Sequence, residues 1–122
     1  MTQASRDRGQ HAELACCKYL QQQGLKLLDK NYHGRRGELD LVMQDSNTVV
    51  FIEVRYRKDN AFGGALESIT PSKQEKLRLT AEQYLQKETH LTQGRFDVVA
   101  MTGMIQNNGS CNYSFEWIKN AF

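Results

Sequence analysis

The chain has 122 residues, of which 39% are hydrophobic and 25% charged, and its formal net charge is +2. The length and composition predict one globular domain over residues 1–122, because the chain is too short for two domains that each have a hydrophobic core of ordinary size. The net charge by itself does not indicate a nucleic-acid partner. The polar start and the lack of a run of roughly 18 apolar residues predict neither a signal peptide nor a membrane partner. Three cysteines without a C-x-x-C spacing favour a reducing cytoplasm over a disulfide framework or a zinc site.

The first predicted element is an amphipathic helix over residues 7–23. Its apolar positions recur at helical spacing: Ala12, Ala15, Cys16, Tyr19 and Leu20. Gly24 is a typical helix end, and residues 25–32 are predicted to form a strand. Glu13 lies at the flank of the apolar stripe, and two interpretations remain open for it: it faces either the edge of the sheet or the solvent.

Two strands joined by a short turn are predicted between residues 37 and 58, because apolar β-branched residues flank a cluster of turn formers. The turn formers are Asp45, Ser46 and Asn47. Side chains alternate between the two faces of a strand, so Glu38 and Asp40 share one face of the first strand. Glu53 and Arg55 share one face of the second. Carboxylates have no packing role inside apolar strands, which marks these acids as candidate functional residues.

Basic residues lie on both sides of this acidic pair of strands. They are Arg35, Arg36, Arg57 and Lys58. A local basic frame of this kind is typical of a surface that contacts nucleic-acid phosphates, so these four are candidate nucleic-acid-binding residues. Residues 33–37 are predicted to be a loop, and residues 58–65 a polar linker that contains glycine.

Asp40 and Glu53 on adjacent strands are candidate metal ligands. Two carboxylates about 4 Å apart repel each other by on the order of 4 kcal/mol at an effective dielectric constant near 20. A divalent cation relieves that repulsion, and carboxylate oxygens are the ligands preferred by Mg²⁺ or Mn²⁺. A hydrated metal held in this way binds a phosphate oxygen and supplies an attacking hydroxide, so phosphodiester hydrolysis is the chemistry that the pair favours.

A second helix is predicted from Thr70, its N-cap, and Pro71, its first residue, to about residue 88. Lys73 is four residues before Leu77, so it extends the inward apolar stripe of this helix. A cation at this end opposes the helix dipole, which suggests a functional role. The alternative is an ordinary surface lysine whose stem covers apolar surface.

The last elements are a strand over residues 95–101, a loop or ragged hairpin from Gly103 to Asn112, and a strand over residues 114–118. Asp97 is predicted to pair locally with a basic residue and not to bind metal. The aromatic residues Phe96, Phe115 and Trp117 are predicted to be core, with base stacking as the alternative. The element order αβββαββ predicts an α/β fold with a mixed central sheet flanked by helices.

The segments G-E-L-D-L-V, F-I-E-V-R-Y-R and R-F-D-V-V, with the lysine-bearing second helix between the last two, together closely resemble the YraN family of small bacterial proteins. The resemblance extends from the first helix to the end of the chain. It implies a single-domain restriction-endonuclease-like fold of the PD-(D/E)xK nuclease superfamily, similar to archaeal Holliday junction resolvases. Such resolvases act as symmetric dimers, so a homodimer is the oligomer that the resemblance implies.

The resemblance also implies roles for individual residues. Asp40 matches the metal-binding aspartate and Glu53 the second acid, while Glu13 matches an acidic residue of the first helix. Glu38 matches the G-E-[IL]-D signature and completes the set of candidate metal ligands. Arg55 stands where the motif normally has lysine; arginine cannot act as a general base, but it can bind a phosphate through its fork of donors. Lys73 is the residue predicted to take over the role of that lysine.

Three functions follow as hypotheses. The first is a nuclease that uses Mg²⁺ or Mn²⁺ to cleave structured or branched DNA, with Asp40, Glu53, Arg55 and Lys73 as its catalytic residues. The second is a nucleic-acid-binding protein that keeps the nuclease fold with little or no catalysis, which the arginine substitution favours. The third is protein interaction without nucleic acid, and it leaves the acidic centre unexplained.

Overall fold

The structure is a computed structural model. It describes residues 3–57, 64, 66–105 and 111–122, and for residues 3–8, 104, 105 and 111 it describes the backbone alone. Two helices and five strands lie in these ranges. The elements are α1 (Gln3–Gln22), β1 (Lys26–His33), β2 (Glu38–Asp45), β3 (Thr48–Arg57), α2 (Pro71–Lys87), β4 (Gln93–Ile105) and β5 (Cys111–Ile118). The predicted order αβββαββ is confirmed.

The strands form one mixed sheet in the order β1-β2-β3-β4-β5. Neighbouring strands are antiparallel except for β3 and β4, which are parallel. A parallel pair needs a crossover connection, and α2 lies within that connection. The result is a small α/β domain, which agrees with the restriction-endonuclease-like fold that the resemblance implies.

The two helices cover opposite faces of the sheet. Alternation along β3 shows the division: Val50 and Ile52 pack in the core beneath α1, whereas Val49 and Phe51 pack in the core beneath α2. Glu53 continues the second series and therefore points toward α2. Because β3 is covered on both faces, its residues from Val49 to Glu53 are all buried.

Local sequence signals place several element ends where they were predicted. Gly24 follows α1 with a φ of 100°, a conformation that glycine adopts at little cost. The turn between β2 and β3 consists of Ser46 and Asn47, with Ser46 at a φ of 55°. At the start of α2, Thr70 Oγ1 accepts a hydrogen bond of 3.2 Å from the Lys73 backbone N–H, as expected of an N-cap.

The last two strands are longer than predicted. The β4–β5 ladder continues through Gly103, which pairs with Tyr113, and reaches Ile105 and Cys111. Of the predicted alternatives, a loop or a ragged hairpin, the described part of this segment is a hairpin. Gly103 has a φ of 128°, and a Cβ there would collide with the Asn112 carbonyl oxygen. The glycine therefore permits close strand pairing and does not end the strand. The predicted linker at 58–65, apart from Gly64, lies outside the described residues.

A buried polar network closes the end of the sheet near the β2–β3 turn. Asp97 is completely buried and accepts hydrogen bonds from Arg95 Nε at 3.1 Å, Trp117 Nε1 at 2.9 Å and the Asn120 backbone N–H at 2.8 Å. Arg95 also donates to Asp45 at 3.1 Å. The predicted local pairing of Asp97 with a basic residue is therefore confirmed, and the network ties β2, β4 and β5 together.

The remaining predictions concern packing. Phe115 stacks on Tyr19 of α1 with ring centroids 4.3 Å apart, and Phe96 packs against Phe51 at 5.3 Å, so both pack as predicted. Cys16 and Cys17 are buried free thiols. No helix in the described part of the chain combines the length and apolar character needed to cross a bilayer.

Candidate active site

The candidate site begins where β2 and β3 separate. Their ladder runs from Asp45 and Thr48 at the turn to Leu41 and Ile52. Asp40 is the next residue of β2 beyond Leu41, on the side away from the turn. Here a side chain and not the backbone joins the strands: Asp40 Oδ2 accepts a hydrogen bond of 3.0 Å from the Val54 N–H. This bond fixes the Asp40 carboxylate beside β3, at the level of Glu53.

Glu53 lies between two cations. Its Oε2 is 3.5 Å from Arg55 Nη2 and 3.6 Å from Lys73 Nζ, so a residue of β3 and a residue of α2 approach the same oxygen. Lys73 therefore points inward, as its place on the stripe predicted. Among the described residues, Glu53 Oε2, Arg55 Nε and Arg55 Nη2 are buried and have no hydrogen-bond partner. Buried polar atoms normally have a hydrogen-bond partner, so the lack of one at these three atoms is unusual and marks a candidate binding site.

The pKa of Glu53 is raised to about 8 despite the two adjacent cations. Burial is the largest cause, and hydrogen bonding and charge repulsion with Asp40 come next; Lys73 and Arg55 act in the opposite direction. Only 7% of the residue is exposed, so water stabilises the carboxylate poorly. Glu53 beside Asp40 thus needs additional positive charge before it ionises near neutral pH.

A pH dependence of stability follows from this pair. The unfolded chain releases the Glu53 proton near pH 4.5, whereas the folded chain retains it to about pH 8, so the free energy of unfolding falls as pH rises through that interval. Replacing Glu53 with glutamine removes this contribution. Urea denaturation in EDTA at pH 5 and pH 8 should show that the wild type loses at least about 2 kcal/mol more than Glu53→Gln. Equal losses in the two proteins would contradict the raised pKa.

An open cleft of about 160 Å³ gives access to the two carboxylates. It is lined by Gly37, Glu38, Asp40, Glu53, Lys73, Lys76 and Leu77. Lys76 was not among the predicted site residues. It is one helical turn beyond Lys73, and this i, i+3 spacing is the signal that could have identified it.

Glu13 is half-buried on α1. Its pKa is raised to about 7, first by burial and then by the negative charge of Asp40, while a hydrogen bond with Asn31 lowers it. Because Glu13 is half-buried and bonds Asn31 of the edge strand β1, it faces the edge of the sheet, which is the first of the two interpretations open from the sequence. Glu38 also raises this pKa.

Glu38 itself lies at the exposed rim of the cleft. Its carboxylate is 3.5 Å from His33 Nδ1, the residue opposite it in the β1–β2 ladder, with 61% of the Glu38 side chain exposed. Glu38 therefore pairs with His33 and not with Arg35 or Arg36. Within the described ranges, no group of three or more His, Cys, Asp and Glu side chains is arranged to hold a metal ion. Asp40 and Glu53 are the acids that lie at the centre of the cleft.

The predicted basic frame is only partly described. Arg35 and Arg36 are exposed on the loop between β1 and β2, beside the cleft, and Arg57 is exposed at the end of β3. Lys58 lies outside the described residues. The loop is held against α2 by a hydrogen bond of 3.0 Å from the Arg35 N–H to Gln83 Oε1.

Fold and site together define a class: a small α/β protein in which two carboxylates and two cations meet where the central antiparallel strands separate. The sequence model of Uncharacterised protein family UPF0102 matches residues 12–101. The chain belongs to this family, and the predicted membership of the YraN family is thereby confirmed.

Relatives from other bacteria match over nearly the full length. A UPF0102 protein of Pseudomonas aeruginosa is 48% identical over 122 residues, which cover 98% of this chain and 95% of the relative. A UPF0102 protein of Nitrosococcus oceani is 46% identical over 119 residues, with coverages of 96% and 92%. One of Pseudomonas putida is 51% identical over 116 residues, with coverages of 93% and 91%. The likeness therefore includes the whole candidate site.

Proposed function

We propose that this protein is a metal-dependent nuclease that hydrolyses phosphodiester bonds in structured or branched DNA. One observation carries the proposal. Glu53 Oε2, at an open cleft, and Arg55 Nε and Nη2 are buried and have no hydrogen-bond partner among the described residues, although Glu53 Oε2 lies 3.5 Å from Arg55 Nη2. The oxygen is available to a cation and the nitrogens to an anion. A phosphate group with its divalent counterion brings both charges at once.

Asp40 and Glu53 would hold the Mg²⁺ or Mn²⁺ ion. The fit rests on the donor set: two carboxylates on adjacent strands, one of them with a free oxygen and a pKa raised to about 8, favour a bound cation over two bare charges. Glu13 and Glu38 add negative charge from α1 and from the rim. When bound, the ion neutralises phosphate charge and lowers the pKa of a coordinated water.

The two cations of the site take separate roles. An arginine side chain carries a positive charge and five N–H donors, and Arg55 Nε and Nη2, which make no hydrogen bond within the described part of the chain, would donate to a phosphate oxygen and stabilise charge in the transition state. Lys73 donates from the opposite side, from α2, and its ammonium can orient the attacking water or a second phosphate oxygen. Lysine can also transfer a proton, which arginine cannot, so Lys73 is the group that replaces the usual motif lysine.

The metal site is tested by isothermal titration of Mn²⁺ into the wild type and the Asp40→Asn variant. We expect the variant to bind Mn²⁺ at least tenfold more weakly, because it loses one of two ionised ligands. Asp29→Asn is the matched control: it removes an aspartate of β1 whose carboxylate bonds the Lys30 N–H at 2.8 Å, and its Mn²⁺ affinity should equal that of the wild type. Mn²⁺ binding that does not depend on Asp40 would refute the site.

A nucleic-acid-binding protein without catalysis is the second candidate, and Arg55 is the observation that favours it, since the motif position lacks a group able to transfer a proton. Cleavage assays with Mn²⁺ on duplex, flap and four-way junction DNA separate the two candidates. Cleavage that is lost in Asp40→Asn supports the nuclease. Tight DNA binding with no cleavage of any of the three substrates supports the second candidate.

A further inference from the structure

One face of α2 carries a row of polar side chains beyond the candidate active site. The row contains Lys73, Lys76, Thr80, Gln83 and Lys87, which alternate at spacings of three and four residues and therefore lie above one another on the helix. At 1.5 Å per residue, the row is about 21 Å long. Its first two members line the cleft with Asp40 and Glu53, and its last member lines a neighbouring depression with Arg35 and Gln83.

The middle of this row holds the loop at residues 34–37. Gly34 lies so close to α2 that a Cβ on it would be 2.9 Å from Thr80 Cγ2, and the Arg35 N–H donates to Gln83 Oε1 at 3.0 Å. The loop closes on itself through a bond of 2.8 Å from the Gly34 N–H to the Gly37 carbonyl. These contacts fix the position of the backbone from which Arg35 extends, between the cleft and the neighbouring depression.

Apart from Lys73, which contacts Glu53, the cations on and beside this row form no ion pair within the described residues. In the described part of the chain, no carboxylate lies within ion-pair distance of the side chains of Arg35, Arg36, Lys76 or Lys87. Glu82 also lines the depression, together with the two cations Arg35 and Lys87. Lys76 and Lys87 are exposed at two points of the row, and Arg35 is exposed beside it. Several separate cations that continue from the acidic cleft are complementary to a chain of phosphates and not to an isolated one.

We infer that Lys76, Lys87 and Arg35 form a backbone-binding subsite, which holds the phosphates of the DNA strand next to the one bound at Asp40 and Glu53. The subsite rests on the proposed function for the identity of its ligand, but it does not depend on metal or on cleavage. Lys76 contacts the phosphate adjacent to the cleft, and Lys87 with Arg35 contacts phosphates further along. Binding here positions the strand without reading its sequence.

The subsite is tested by fluorescence anisotropy with a labelled four-way junction in EDTA, at several salt concentrations between 50 and 200 mM. Lys76→Ala and Lys87→Ala should each weaken binding about three- to tenfold and lower the slope of log K against log salt by about 1, because each variant loses one phosphate contact. Lys18→Ala is the matched control: it removes the same charge from an exposed position on α1, and it should change neither quantity. All three lysines are exposed or partly exposed, and circular dichroism confirms folding of each variant.

Two results separate the subsite from the proposed function. If Lys76→Ala and Lys87→Ala weaken binding no more than Lys18→Ala does, the subsite is wrong, whatever the protein cleaves. If they weaken it as expected while the wild type cleaves no substrate, the subsite stands and the nuclease proposal fails. Failure of the wild type to bind the junction at 50 mM salt would overturn the subsite as well.

Discussion

Asp97→Ala is expected to lower the free energy of unfolding by about 3–5 kcal/mol, as removal of one member of a buried ion pair does. The substitution leaves the Arg95 guanidinium without its buried partner, and it also leaves the Trp117 Nε1–H and the Asn120 N–H unpaired. A donor left unpaired away from water costs about 1–3 kcal/mol, and because Asp97 is completely buried, water replaces its hydrogen bonds poorly. Urea denaturation followed by far-ultraviolet circular dichroism measures it.

Asp29→Ala provides the control for this prediction. Within the described residues the half-buried Asp29 carboxylate bonds the adjacent Lys30 N–H, so its removal should cost less than about 1 kcal/mol. If Asp97→Ala is too unstable to purify, Asp97→Asn retains one acceptor oxygen and should fold with a smaller loss. An Asp97→Asn variant as stable as the wild type would show that the charge of Asp97 contributes nothing to the network.

Lys73→Met is expected to reduce the single-turnover cleavage rate at saturating Mn²⁺ by about 10²–10³-fold. This is the range found when one catalytic acid, base or charge-stabilising donor is removed. Methionine retains the apolar stem that covers the start of α2, so the change removes the ammonium 3.6 Å from Glu53 and little else. Lys73→Arg keeps the charge without proton transfer, and a rate between those of the wild type and Lys73→Met would separate the two contributions.

The same variant should leave the other properties of the site in place. Mn²⁺ binding by Lys73→Met should remain within tenfold of the wild-type value, since both carboxylates are retained. Lys18→Met, which removes an exposed lysine of α1, should cleave at the wild-type rate. A Lys73→Met rate within threefold of wild type would exclude Lys73 from the chemistry and would leave Arg55 as the cation that acts on the phosphate.

The sequence by itself determined features that depend on neighbouring residues. Gly24 and the Thr70–Pro71 pair marked the helix ends, because caps act through contacts within one turn. The alternation of β3 placed Glu53 and Arg55 on one face, since a strand always sends successive side chains to opposite sides. The element order and the family followed from these patterns and from their resemblance to known proteins.

Only the tertiary structure determined which distant segments of the chain are in contact at the candidate site. The contact of Lys73 with Glu53, the bond from the Val54 N–H to Asp40 and the docking of the loop at residues 34–37 on α2 join segments that are separated along the chain. Such contacts depend on which helix covers which face of the sheet and on where β2 leaves β3. These arrangements are set by packing of the whole core, so no local pattern in the sequence specifies them.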